Sequence, residues 1–177
     1  ALPILMLSGI GPAAMLRSHG IAVRVDAPGV GDNLQDHNDV RIAAVSPRNY
    51  GYAGEDRGLR LVRNALEYAL FKSGPASSTG SEVTAFLNPL DPAAAPNLQL
   101  YCLGRLARSP LFPGHPPPGA TLVANLIAPK SRGSLRLRSA DPADRVVIDP
   151  NWLSHPDDVR ALVAGVRFLF KVMHMQI

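Results

Sequence analysis

Apolar positions recur with two periods along this chain, and strands predominate over helices. Leu59, Val62, Leu66 and Leu70 return every three or four residues, so residues 57–72 are expected as an amphipathic helix. Val159, Leu162, Val163, Val166, Leu169, Phe170 and Met173 mark one face of a second helix. Ser154 is placed to cap it, Pro156 suits its first turn, and Asp157 and Asp158 favour its positive end. A third, short helix is expected from Pro12 until Gly20 stops it. Strand-like runs occupy residues 39–45, 82–87, 98–103, 121–127, 134–138 and 146–148. Glycine- and proline-rich turns separate them, and the turn at 129–133 predicts an antiparallel hairpin between 121–127 and 134–138. The pattern specifies an α+β chain with a largely antiparallel sheet and flanking helices.

Composition narrows the function. The 177 residues are 46% hydrophobic and 18% charged, enough for a packed core. The net charge of +4 is mild and dispersed, so no nucleic-acid stripe stands out. No apolar run approaches the length of a bilayer span. Cys102 is alone and reads as a small buried apolar side chain. No pair among the histidines has metal-ligand spacing, so no metal is expected. Ala1 opens an apolar run without a basic preceding region, and the chain stops at His174-Met175-Gln176-Ile177 without a polar tail. Both ends read as cuts through a longer protein, and no compartment is indicated.

Residues 5–37 concentrate the candidate chemistry. Gly9-x-Gly11-x-x-Ala14 followed by Val23-Arg24-Val25-Asp26 imitates a dinucleotide fingerprint. The spacing rejects it: residues 12–19 give about two turns of crossover, where a dozen or more residues are needed. Asp26 also arrives too early to be the ribose acid. A nicotinamide-binding domain would require residues 23–26 to pair in parallel with 4–7.

Leu5-Met6-Leu7-Ser8-Gly9-Ile10-Gly11-Pro12 resembles the second signature of the glucose–methanol–choline (GMC) oxidoreductases. Pro28-Gly29-Val30-Gly31-Asp32-Asn33-Leu34-Gln35-Asp36-His37 is similar to the segment that follows it in that family. The resemblance continues through Ser131-Arg132-Gly133-Ser134 and Ile148-Asp149-Pro150-Asn151. It implies a substrate domain on an antiparallel sheet, inserted between segments of a flavin-binding domain. Residues 1–38 would be a partial FAD-binding segment, and 39–177 the substrate domain with its return helix. The full-length parent would carry FAD, transfer hydride from a primary alcohol carbon to it and release an aldehyde, in the manner of choline dehydrogenases. The family's N-terminal glycine-rich unit and its C-terminal histidine segment have no counterpart here. No catalytic residue is therefore assigned, and the chain alone is expected to be inactive. Its partners would be the alcohol and the remaining FAD-binding segments.

The resemblance puts Asn33, Asp36 and His37 near the cofactor. The plainer reading is a structural knot, since Asx side chains lock turns and adjacent residues on an extended chain point to opposite faces. Glu82-Val83-Thr84-Ala85-Phe86 resembles the Glu-x-x-x-Phe run with which choline-oxidising members hold the cationic head of the substrate, which makes Glu82 a substrate-binding candidate. A choline site also wants aromatic faces, and none stands among Ser78, Thr79, Gly80 and Ser81. Otherwise Glu82 is a solvated strand end. Arg136 and Arg138 share a strand face that is open to an anion or simply to solvent. The competing class is a non-enzymatic binding module that uses the proline-rich loop from Gly104 to Gly119.

Overall fold

A computed structural model describes residues 2–175 except 108 and 113. The chain divides into two compact units: Ala1–Asn38 with Ala128–Arg160, and Asp39–Ile127 with Ala161–Ile177. One boundary thus falls after Asn38. Residues 39–177 are not a single body, because 128–160 cluster with the first 38 residues.

The first unit holds α1 (Leu2–Leu7), β1 (Ile10–Gly11), α2 (Ala13–Ser18), β2 (Val25–Asp26), β7 (Ser134–Arg136) and β8 (Val147–Asp149). Met6, Leu16 and Leu137 form its buried core, with Val30, Leu135 and Val146 packed around them. Residues 4–7 are helical, so no nucleotide-binding strand exists there. A parallel ladder joins Ile10 to Val25 and Gly11 to Asp26, two residues long. The Asp26 carboxylate is used locally: it accepts the Ala13 N–H at the start of α2 at 3.0 Å. Gly31 approaches the chain so closely that a Cβ there would lie 2.3 Å from the Leu135 carbonyl oxygen. Leu34 bridges Gly133, and Asp32 forms an ion pair with Arg136.

The second unit is built on a four-stranded sheet in the order β3 (Asn38–Val45), β6 (Gly119–Leu126), β5 (Leu98–Leu103), β4 (Ser81–Leu87). The β4–β5 and β5–β6 pairs are antiparallel. Inward positions alternate as a half-buried strand requires: Leu98 and Leu100 on β5 meet Ala124 and Leu126 on β6. Ala161, Leu162 and Leu169 of α4 (Pro156–Met173) close the same core. Gly165 makes the close helix approach possible, since a Cβ there would stand 2.6 Å from Leu98 Cδ1.

Three local expectations are corrected. Residues 121–127 and 134–138 do not form a hairpin. Both edges of β6 are taken, by β3 and β5, and β7 pairs with β8 instead. Ser154 does not cap α4 with its side chain among the described hydrogen bonds; the Asp157 N–H donates to His155 Nδ1 at 3.2 Å. The helix expected at 57–72 is present as α3 (Gly58–Phe71), but its apolar stripe points outward. Leu59 is 88% exposed and Leu70 72%. The buried residue of α3 is Asn64, whose amide donates to the Glu55 backbone carbonyl and carboxylate, each at 3.0 Å.

Candidate active-site cleft around Glu82

The β4–β5 ladder runs in regular register from Leu87 opposite Leu98 to Val83 opposite Cys102, and then slips: Ser81 faces Leu103. Glu82 is the extra residue, a β-bulge. Bulges bend a strand locally and re-aim the side chain they carry. Here the carboxylate turns toward residues that precede it by four and by thirty positions. Tyr52 Oη donates to Glu82 Oε1 at 2.5 Å, and Ser78 Oγ donates to the same oxygen. Ser78 Oγ in turn accepts the Gly80 N–H at 2.8 Å. Among the described residues no hydrogen bond reaches Oε2.

These donors favour the charged form. The Ser78 hydroxyl, and after it the Tyr52 hydroxyl, hold the Glu82 carboxyl below its usual range, against a smaller opposing effect of burial. Glu82 lines a cleft of about 310 Å³ together with Tyr50, Tyr52, Glu55 and Arg63. Glu55 is itself kept ionised, chiefly by the Asn64 amide and then by Arg60 and Arg63. A larger cavity of about 1130 Å³ shares the Tyr52 wall and is bordered also by Arg41, Arg105 and His115.

Tyr52 reaches Glu82 because its loop is docked on the end of β5. The Tyr52 N–H donates to the Gly104 carbonyl at 2.7 Å. A Cβ on Gly51 would lie 1.9 Å from that oxygen, and one on Gly104 would lie 3.1 Å from the Tyr52 ring. Position 51 therefore demands glycine by crowding, and position 104 is tight against the Tyr52 ring. The loop is stiffened from within: Asn49 donates to the Ala53 carbonyl at 2.9 Å and accepts the Gly51 N–H at 3.3 Å. Sequence reading missed Tyr52, Ser78 and this glycine pair. The 46–56 stretch looked only turn-rich, and no local signal links residue 52 to residue 82.

Asn33, Asp36 and His37 are all exposed in the first unit. Asn33 adopts a left-handed backbone, φ 61°. Asp36 Oδ1 accepts the N–H of His37 at 2.9 Å. The Asn33 amide and the His37 ring make no hydrogen bond among the described residues. Arg136 is engaged with Asp32 rather than presenting a paired guanidinium face with Arg138. Cys102 is half-buried, and burial pushes its thiol pKa up. No group of three metal-ligating side chains occurs among the described residues. No helix there is long and apolar enough to cross a membrane.

Residues 129–176 match the model of the GMC oxidoreductase C-terminal region. The chain is 36% identical, over 93% of its length, to an alcohol dehydrogenase (acceptor) from Pseudomonas putida. It is 38% identical, over 88%, to an oxygen-dependent choline dehydrogenase from Brucella canis. The chain belongs to the GMC oxidoreductase family. It spans 30% of the length of the first of these GMC relatives and 28% of the second. Among solved structures, the formate oxidase of Aspergillus oryzae, studied for its FAD modification, matches with a TM-score of 0.82 and 28% identity. That match covers 96% of this chain and 34% of the oxidase.

Proposed function

We propose that this chain walls the substrate pocket of a FAD-dependent GMC oxidoreductase that oxidises a primary alcohol to its aldehyde. The observation that carries the reading is the carboxylate of Glu82, re-aimed by a bulge and held ionised by two hydroxyls at a cleft. A fixed anion beside aromatic side chains suits an alcohol with a cationic head, because charge attraction strengthens as water is excluded. Tyr50 and Tyr52 supply the aromatic rings that the residues next to Glu82 lack. Residues 39–127 serve as the substrate domain and residues 1–38 as a flavin-side segment.

The flavin-side residues fit a dinucleotide in kind. Asn33 and His37 offer exposed donor and acceptor groups with no internal use among the described residues, and Asp36 keeps one oxygen uncommitted. Bound FAD would accept the hydride of the alcohol carbon. This chain's own part is to bind the alcohol's far end through Glu82 and to present polar groups to the cofactor through Asn33, Asp36 and His37. The proton acceptor for the hydroxyl lies outside these residues, so the 177 residues alone do not turn over alcohols.

The test is a flavin spectrum and an alcohol panel on the full-length enzyme, wild type and Glu82→Gln. The expected result is flavin reduction by primary alcohols, with KM for a cationic alcohol rising at least about tenfold in the variant, the scale of losing a charge-assisted contact. An enzyme that reduces no flavin with any alcohol, or a variant with unchanged KM, overturns the reading.

A further inference from the structure

Glu82 has two carboxylate oxygens, and the structure treats them differently. Oε1 takes both the Tyr52 and the Ser78 hydroxyl. Oε2 takes neither. A carboxylate on an exposed strand end rotates among rotamers at little cost, and a ligand that needs it in one orientation must order it on binding. Two donors converging on one oxygen remove that freedom beforehand. We propose that Tyr52 is a positioning residue for alcohol selection: it pins Glu82 Oε1 so that Oε2 faces the cleft and receives the cationic head of the substrate. The inference rests on the reading of Glu82 given above.

The placement of Tyr52 supports this role independently of the carboxylate. Its backbone N–H is bonded to Gly104 at 2.7 Å, and Gly51 leaves no room for a side chain where the loop meets β5. Tyr52 lines both of the cavities described above. Tyr52 is thus fixed by main-chain contacts before it touches Glu82. It can impose an orientation rather than adapt to one. Apart from Glu82, Ser78 is tied only within its own 74–80 turn, where its backbone N–H donates to the Pro75 carbonyl at 3.3 Å and its Oγ accepts the Gly80 N–H.

The charged and titratable groups facing Glu82 are Tyr50, Tyr52 and Glu55 from the preceding loop, Arg63 from α3, and Cys102 on β5 opposite the neighbouring Val83. Arg63 is committed to Glu55 at 3.2 Å. Removing the Tyr52 hydroxyl therefore changes the environment of Glu82 without freeing another charge.

The experiment compares wild type, Tyr52→Phe, Ser78→Ala, Glu82→Gln and the Tyr52→Phe/Glu82→Gln double variant in the full-length flavoenzyme. Three readings are taken: the ratio of kcat/KM for choline to that for its uncharged isostere 3,3-dimethylbutan-1-ol, equilibrium binding of tetramethylammonium, and the acidic limb of the choline profile. Tyr52→Phe keeps the ring and is expected to lower the choline preference about tenfold, to weaken tetramethylammonium by a similar factor, and to move the acidic limb to higher pH. In the Glu82→Gln background the same change should have no further effect on preference. Ser78→Ala, whose loop does not carry Gly51, should shift preference in the same direction and guards against a folding defect in Tyr52→Phe. If Glu82→Gln abolishes the preference while Tyr52→Phe and Ser78→Ala leave preference and limb in place, the positioning role is overturned and the Glu82 reading survives. If the wild type shows no preference for the cation, both fall.

Discussion

At the scale of single residues, the loop carrying Tyr52 is held by what is missing from its side chains. Gly51 and Gly104 meet back to back, and any Cβ at residue 51 must displace the Gly104 carbonyl that bonds Tyr52. Gly51→Ala is expected to cost about 1–3 kcal/mol, the usual scale of overpacking. It should also reduce the choline preference in the way Tyr52→Phe does. A denaturant melt and the kcat/KM ratio measure both, and a fully stable Gly51→Ala protein with unchanged preference contradicts this account of the loop. Residue-level chemistry was only partly legible beforehand. Glu82 became a candidate only through the resemblance of Glu82–Phe86 to a family motif; from its own neighbours it reads as a solvated strand end. Its hydrogen-bond partners could not be read at all, because Tyr52 lies thirty residues away and reaches Glu82 through a tertiary contact. Asp26 shows the converse. It imitates a ribose acid but comes too early in the chain for one, and it is spent on the first N–H of a six-residue helix.

At the scale of elements, period alone identified α3 and α4, but not what each does with its apolar face. Both helices carry an apolar stripe. In α4 only Leu162, Val166 and Leu169 of the stripe, together with Ala161, pack against the sheet, while Val159, Val163, Phe170 and Met173 are exposed; the whole α3 stripe stays in solvent. A stripe records that a face is apolar; which surface covers it depends on the rest of the fold. The stabilities should differ accordingly. Leu98→Ala, at a residue with 0% exposure, is expected to cost about 2–5 kcal/mol. Leu66→Gln, at one with 57% exposure, should stay within about 0.5 kcal/mol in the same melt. Comparable losses for the two would show that the α3 face is buried in solution. The misjudged hairpin has a related cause. Residues 121–127 and 134–138 are both strands with a turn between them, but sequence proximity says nothing of how many edges β6 has left. It has none.

At the scale of the molecule, acid should weaken the start of α4 before the sheet core. Asp157 is held at about 2, first by Lys130 and then by Arg160. For Asp158, 2% exposed, burial pushes the carboxyl up, but the Lys130 and Ser131 N–H groups and the Ser131 hydroxyl outweigh it, so it too lies below its usual range. Both folded values are depressed. Their stabilisation is complete above the ordinary value of 3.8 and is lost as pH falls toward 2. The thermal midpoint should therefore drop between about pH 4 and pH 2, and Asp157→Asn should flatten that drop. A slope unchanged in the variant would remove Asp157 from the account. The overall class, α+β with an antiparallel sheet, was readable because strand alternation and turn residues repeat across the whole chain. The division into units was not, since it depends on the Leu34–Gly133 bridge and the Asp32–Arg136 pair, about a hundred residues apart in the chain. The slip at Ser81 and Val83 carries a last implication for how such a protein changes over evolutionary time. Glu82 is a supernumerary position in its strand, so losing its single codon would leave Val83–Leu87 paired with β5 as before while erasing the anion. On the role proposed for Glu82, a lineage could thereby move between charged and neutral alcohols in one deletion, with its scaffold intact.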